Sequence, residues 1–158
     1  MIYLFLDVDG VLNRDSTKER CCGCLGIEPE KVQHLKYIVE QTGAQIILTS
    51  TWKYGWEPIN KSMNDDFAVY LDKALNDAGL EIVGKTDDNC NDRGAGIVDW
   101  LRQHPARAWV VIDDLFYPDF KELHIDEKLV LTSFDEGLTR VTAEQAVSIL
   151  QEQLKKEV

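Results

Sequence analysis

The sequence predicts an α/β fold built on a mainly parallel central sheet covered by helices on both faces. Three observations carry that reading: short apolar runs recur along the chain, stretches with helical spacing separate them, and several apolar runs stop abruptly on Asp, Thr or Ser. Strands joined by helical crossovers build a doubly wound sheet. In such a sheet the crevice beyond the carboxyl ends of the strands is where ligands bind, so polar residues at strand ends are the first candidates for function.

The first apolar run, Ile2-Tyr3-Leu4-Phe5-Leu6, reads as a strand buried on both faces, and Asp7, Asp9 and the turn residue Gly10 follow it at once. Residues 14–26 are polar, then rich in Cys and Gly, and read as a loop. A helix is predicted over 29–42, with Pro29 in its first turn, Val32, Leu35, Ile38 and Val39 on its apolar face, and Gly43 as its stop. Gln45-Ile46-Ile47-Leu48 is the next strand and closes in Thr49-Ser50-Thr51-Trp52-Lys53.

Residues 52–63 form an aromatic loop beside this strand end. Its rings either cover the cleft and stack on a substrate base or pack on the domain edge; Lys53 is an additional candidate phosphate contact. Phe67, Leu71, Ala74, Leu75 and Ala78 give a helix ending at Gly79, and 80–83 a short strand. After a polar stretch from 85 to 92, a helix opens at Arg93 and stops before Pro105. A cation at a helix N-terminus opposes the helix dipole, so either its placement is incidental or Arg93 faces an anion together with the helix end. The strand 108–112 ends in Asp113-Asp114, a further strand covers 128–132, and Thr142-Ala143-Glu144-Gln145 reads as a capping box for the last helix.

The 158 residues suit a single domain, 1–158, with 44% hydrophobic and 28% charged residues. No apolar run approaches a membrane span and no signal peptide is evident at the N-terminus, so a cytoplasmic protein is expected. The net charge of -11 disfavours broad attraction to nucleic acid or to an anionic membrane, because both depend on a basic surface. A local cation still permits a phosphate substrate. Cys21, Cys22, Cys24 and Cys90 do not match the paired spacings of a zinc site and read as free thiols. Two adjacent acids at a buried strand end repel unless a cation lies nearby, and four carboxylates, Asp7, Asp9, Asp113 and Asp114, at one sheet edge call for one.

The ordered set Asp7-Val8-Asp9-Gly10-Val11-Leu12, Thr49-Ser50, Arg93 and Asp113-Asp114, each placed after or beside an apolar strand, resembles the four motifs of haloacid dehalogenase-like phosphatases. The spelling through Asn13, Thr51-Trp52, Arg93-Gly94, Trp100-Leu101 and Gly137-Leu138-Thr139 is most similar to the phosphatase-like domain of Swiss army knife RNA repair proteins. The resemblance implies a three-layer Rossmann-like fold, and residues 14–28 are too few for a large cap domain.

It also implies a chemistry: Asp7 as nucleophile forming an aspartyl-phosphate, Asp9 as general acid and base, and Thr49, with Ser50 the alternative, orienting the phosphoryl group. Arg93 is the first choice for the third-motif cation and Lys85 the second. Mg²⁺ would be held by Asp7, the main-chain carbonyl of Asp9 and an acid of the Asp113-Asp114 pair, with Asp114 preferred. Ser50, Lys53, Lys85 and Trp52 complete the set as substrate contacts. The expected substrate is a phosphomonoester, with a nucleic-acid end or a nucleotide as candidates. Two alternatives stand beside the phosphatase: a catalytically silent Mg²⁺- or phosphate-binding module working with a partner protein, and a receiver-like phosphoacceptor domain, whose acids lie on other strands.

Overall fold

The computed structural model of the chain describes residues 1–88 and 92–157. In order along the chain, the elements are β1 (Ile2–Leu6), β2 (Arg20–Cys21), β3 (Cys24–Leu25), α1 (Pro29–Thr42), β4 (Gln45–Leu48), α2 (Asp66–Asn76), β5 (Ile82–Lys85), α3 (Arg93–Gln103), β6 (Ala108–Asp113), β7 (Leu129–Leu131) and α4 (Arg140–Lys156). Short 3₁₀ turns cover Thr51–Gly55, Lys61–Met63 and Asp126–Lys128.

Five strands form one parallel sheet in the order β5-β4-β1-β6-β7, which makes β1 the centre and places the topological switch between β1 and β6. Leu4 pairs with Ile46 on one side and Val110 on the other, and Leu6 with Leu48 and Ile112. Leu4 and Leu6 point into the larger core with Leu35, Ile38, Leu71 and Leu150 of α1, α2 and α4. Tyr3 and Phe5 point to the opposite face, where Ile97 of α3, Phe120 and Ile125 cover them. This is the three-layer Rossmann-like arrangement. Because both faces of β1 are covered, its side chains are apolar without alternation, each burial being worth about 1.5–3 kcal/mol.

The structure departs from the sequence reading at four places. The third parallel strand is 82–85, not 80–83, because Gly79 (φ 81°) closes the end of α2 and the Leu80 amide bonds back to the Leu75 carbonyl at 2.9 Å. The last helix is capped by Thr139 rather than Thr142: Thr139 and Thr142 make a reciprocal capping box in which Thr142 occupies the N3 position. The stretch 14–28 holds a two-strand hairpin, β2 with β3, turned by Cys22 (φ 53°) and Gly23 (φ 81°) in the doubly left-handed form favoured for two-residue hairpins. The aromatic stretch is wound into 3₁₀ turns, and Trp56 is fully buried with its indole donating to Asp72 at 2.8 Å.

Cys21 is buried while Cys22 and Cys24 are exposed, all three as free thiols; Cys90 lies outside the described residues. No cap domain is folded among the described residues, either from 14–28 or from the segment between β4 and β5. Among them, too, no helix is long and apolar enough to cross a membrane.

Candidate active site at the carboxyl edge of the sheet

Backbone hydrogen bonds continue the sheet ladders one residue past the strands and so fix where the polar side chains stand. The Asp7 amide donates to Ile112 O (3.1 Å), the Thr49 amide to Leu6 O (2.9 Å), and the Thr132 amide to Asp113 O (2.9 Å). Asp7, Thr49 and Asp113 are therefore locked side by side at the switch point, at the ends of β1, β4 and β6.

Carboxylate oxygens of Asp7, Asp113 and Asp114 lie within 4.8 Å of one another, with Asp7 and Asp113 buried and Asp114 half-buried. Arg93 Nη1 enters this cluster, 3.1 Å from Asp7 Oδ1 and 2.7 Å from Asp113 Oδ2. The other oxygen of Asp113 accepts the Leu115 amide at 3.0 Å, so both its oxygens are engaged while Asp114 is left nearer the surface. One guanidinium against three carboxylates leaves a local excess of negative charge. Burial, then repulsion from Asp113, holds the Asp7 carboxyl well above the usual carboxylate range, despite the opposing pull of Arg93. Burial and Asp113 likewise raise Asp114. Burial acts against the Arg93 charge, but Asp7 and Asp113 outweigh it and keep the guanidinium protonated.

Arg93 is braced from outside the cluster. Its guanidinium lies over the ring of Tyr117, 4.4 Å from the centroid, and burial pushes the Tyr117 phenol up to about 12. The first turn of α3 is capped from a distance: Asp119 accepts the Gly94 amide at 3.2 Å and the Ala95 amide at 2.9 Å. An acid therefore sits at the positive helix end that Arg93 disfavours. Sequence reasoning missed Tyr117 and Asp119, since neither stands at a strand end; the adverse placement of Arg93 was the available signal that α3 needed a remote acid.

The hydroxyls at the end of β4 have separate employments. Ser50 Oγ accepts the Trp52 amide at 3.3 Å and caps the 3₁₀ turn. Thr49 Oγ1 is buried and has no hydrogen-bond partner among the described residues, and Arg93 Nε is in the same condition. Two orphaned polar groups beside an acid cluster are unusual in a folded interior, where buried polar atoms are nearly always paired.

Asp9 stands apart from the acid cluster. It is exposed, and its two oxygens accept from different donors: Oδ2 from the Trp52 indole (3.1 Å) and Oδ1 from Asn13 Nδ2 (2.9 Å). Gly10 (φ 79°) makes the intervening turn, and a Cβ there would overlap the carboxylate of Asp114. Thr132 Oγ1 closes the same turn by donating to Gly10 O at 2.7 Å.

The remaining candidates are held within the surrounding structure. Lys53 is buried and paired with Asp88 and Thr86; burial lowers its pKa against the pull of Asp88. Lys85 donates to the carbonyls of Lys53 (2.9 Å) and Trp56 (2.7 Å), closing the 3₁₀ turn. Of the two cations considered for the third motif, Arg93 is the one in contact with Asp7.

The donor set fits a hard cation. Asp7, Asp113 and Asp114 supply oxygen only, at a separation one small ion spans, and their unbalanced charge calls for a positive partner. The carboxylate of Asp9 is not in that group.

Comparison with known proteins gives one family match. The model of the HAD domain in Swiss Army Knife RNA repair proteins matches residues 3–143, which spans every residue of the site. No curated protein matches the sequence.

Proposed function

The chain belongs to the family of HAD domains in Swiss Army Knife RNA repair proteins, and from that membership and the geometry of its sheet edge we propose that it is a Mg²⁺-dependent phosphohydrolase that cleaves a phosphomonoester through an aspartyl-phosphate on Asp7. The observation that carries the reading is the division of labour between Asp7 and Asp9. One is buried among acids against Arg93, and the other is exposed and held by two neutral N–H donors. Two carboxylates in such different settings suit two different chemical roles.

Asp7 attacks the phosphorus and the bond to the leaving oxygen breaks, while a proton carried by Asp9 passes to that oxygen. Asp9, now a carboxylate, takes a proton from water as the water oxygen attacks the phosphorus of the aspartyl-phosphate. Asp7 is then released as a carboxylate and inorganic phosphate leaves. Arg93 keeps Asp7 aligned and offsets charge, and the free hydroxyl of Thr49 donates to a phosphoryl oxygen, removing the orphaned state in which the fold leaves it. Bound at Asp7 and Asp114, with the Asp9 carbonyl as a further oxygen, Mg²⁺ would neutralise the carboxylate excess and draw charge from the phosphoryl oxygens.

Among the described residues no cap domain is folded over the site, which suits a large substrate such as a nucleic-acid end as well as a nucleotide. The net charge of -11 favours a small nucleotide or an end presented by a partner over tight unaided binding of long nucleic acid. The test is phosphate release from 5′- and 3′-phosphorylated oligonucleotides, nucleotides and an aryl phosphate, with Mg²⁺ and with chelator. Mg²⁺-dependent turnover that disappears in Asp7→Asn supports the proposal. Mg²⁺ binding without turnover on any member of the panel contradicts it and favours a silent binding module.

A further inference from the structure

We propose that Asn13 and Trp52 are positioning residues that aim the carboxyl of Asp9 at the leaving group, and that Trp52 acts in this way rather than by stacking on substrate; the inference rests on the acid and base role given to Asp9 above. An exposed aspartate has two free side-chain torsions, and a general acid that samples several rotamers spends little time in reach of its target. Here each carboxylate oxygen has its own donor, Trp52 Nε1 at 3.1 Å and Asn13 Nδ2 at 2.9 Å, so the plane of the carboxyl group is fixed from two directions.

Both donors are themselves immobile. Asn13 is fully buried, and besides Asp9 it donates Nδ2 to Gly26 O and accepts the Gly10 amide at Oδ1, each at 2.9 Å. That pattern permits only one orientation of the amide. It also ties Asp9 to Gly26, the residue that follows β3. The backbone amide of Trp52 is held by Ser50 Oγ, and its ring meets Phe67 edge to face at 5.2 Å. Only 8% of Trp52 is exposed, which leaves little ring face for a base to stack on.

The chemistry of the donors adds a directional argument. An indole N–H and an amide NH₂ donate and cannot accept, so neither can receive a proton from Asp9. The two donors therefore aim the carboxyl without competing for a proton that passes between it and the leaving oxygen.

The test measures leaving-group release in single turnovers, which precedes the aspartyl-phosphate hydrolysis that all substrates share. It compares kcat and KM of that step for p-nitrophenyl phosphate, whose leaving group needs no proton, and for a nucleoside 5′-monophosphate, whose leaving group does, in the wild type, Asp9→Asn, Trp52→Phe and the double variant. Trp52→Phe is expected to lower kcat on the nucleotide about 10- to 100-fold with KM little changed, and to affect the aryl phosphate far less. The double variant should be no worse than Asp9→Asn alone. A raised KM with unchanged kcat would assign Trp52 to substrate stacking and overturn the proposal, as would equal losses on both substrates. If Asp9→Asn itself fails to discriminate between the leaving groups, the role given to Asp9 fails first. A measurement without turnover stands beside these: the indole N–H resonance of Trp52 should shift and exchange faster with water in Asp9→Ala. An unchanged resonance overturns the hydrogen bond on which the inference stands.

Discussion

Arg93 Nη1 donates to Asp113 Oδ2 at 2.7 Å, and both side chains are almost wholly buried. The same nitrogen reaches Asp7, so Asp113 fixes the cation that the nucleophile faces. Removing one partner of a buried pair strands the other charge at a cost of about 3–5 kcal/mol. Asp113→Ala should therefore lower Tm, by roughly 2–4 °C for each kcal/mol lost in a chain of this size, and abolish turnover. Thermal melting checks the first part, and an unchanged Tm would show that the pair does not hold Arg93.

Thr49→Val tests the orphaned hydroxyl. The substitution keeps the shape and removes a buried polar atom that the fold does not satisfy, so stability should hold or rise slightly. If the hydroxyl serves the transferring group, kcat falls about 10²- to 10³-fold, as for the loss of one oxyanion donor. Ser50→Ala should do the reverse, costing about 0.5–2 kcal/mol through the lost cap with a smaller effect on rate. Melting and steady-state kinetics on the two variants separate these roles.

The acid cluster makes a signed prediction about pH. Burial and Asp113 raise the pKa of Asp7 in the fold above its unfolded value of about 4, so ionising Asp7 opposes folding. The penalty is absent below pH about 4 and grows as pH rises through the folded value. Without metal, Asp7→Asn should melt higher than the wild type at pH 8, and the gap should close toward pH 4. Mg²⁺ should raise the wild-type Tm more at pH 8 than at pH 5 and leave Asp7→Asn nearly unmoved. Melting curves across this range check both statements; a metal-free Asp7→Asn that melts below the wild type at pH 8 would contradict the first.

Gly10→Ala addresses the turn that follows the two aspartates of the β1 edge. At φ 79° a Cβ costs about 1–2 kcal/mol, and here it also overlaps the carboxylate of Asp114. The variant should lose stability and, because Asp114 must move, bind Mg²⁺ more weakly. The Mg²⁺-induced rise in Tm, which follows the ratio of free ion to Kd, reads the second effect separately from the first.

Much of this arrangement was legible in the sequence because its cues are local. Apolar runs that stop on Asp7, Thr49 and Asp113 mark strand ends, and Pro29 and Gly43 bound α1 where expected. The hairpin at Cys21 and Cys24 escaped because two-residue strands carry no periodicity. Thr139 escaped because its N3 partner is Thr142, where the usual box has Glu or Gln. The contacts of Trp52 with Asp9, 43 residues away in sequence, and of Tyr117 with Arg93 are consequences of tertiary packing with no local signature, and that of Asn13 with Asp9, though only four residues apart, belongs to an irregular turn that has no periodicity to read. The sequence sets the aromatic loop beside the site, yet whether its rings face substrate or brace an acid is decided by hydrogen bonds that only the folded chain displays.

Whether Asp7 bonds to phosphorus is read most directly from a rapidly quenched single turnover with a labelled phosphomonoester and Mg²⁺, followed by mapping of the label. A hydroxylamine-sensitive phosphoryl group is expected on Asp7 in the wild type, with neither label nor phosphate release in Asp7→Asn. Label on a different residue, or phosphate released by Asp7→Asn at the wild-type rate, would contradict it.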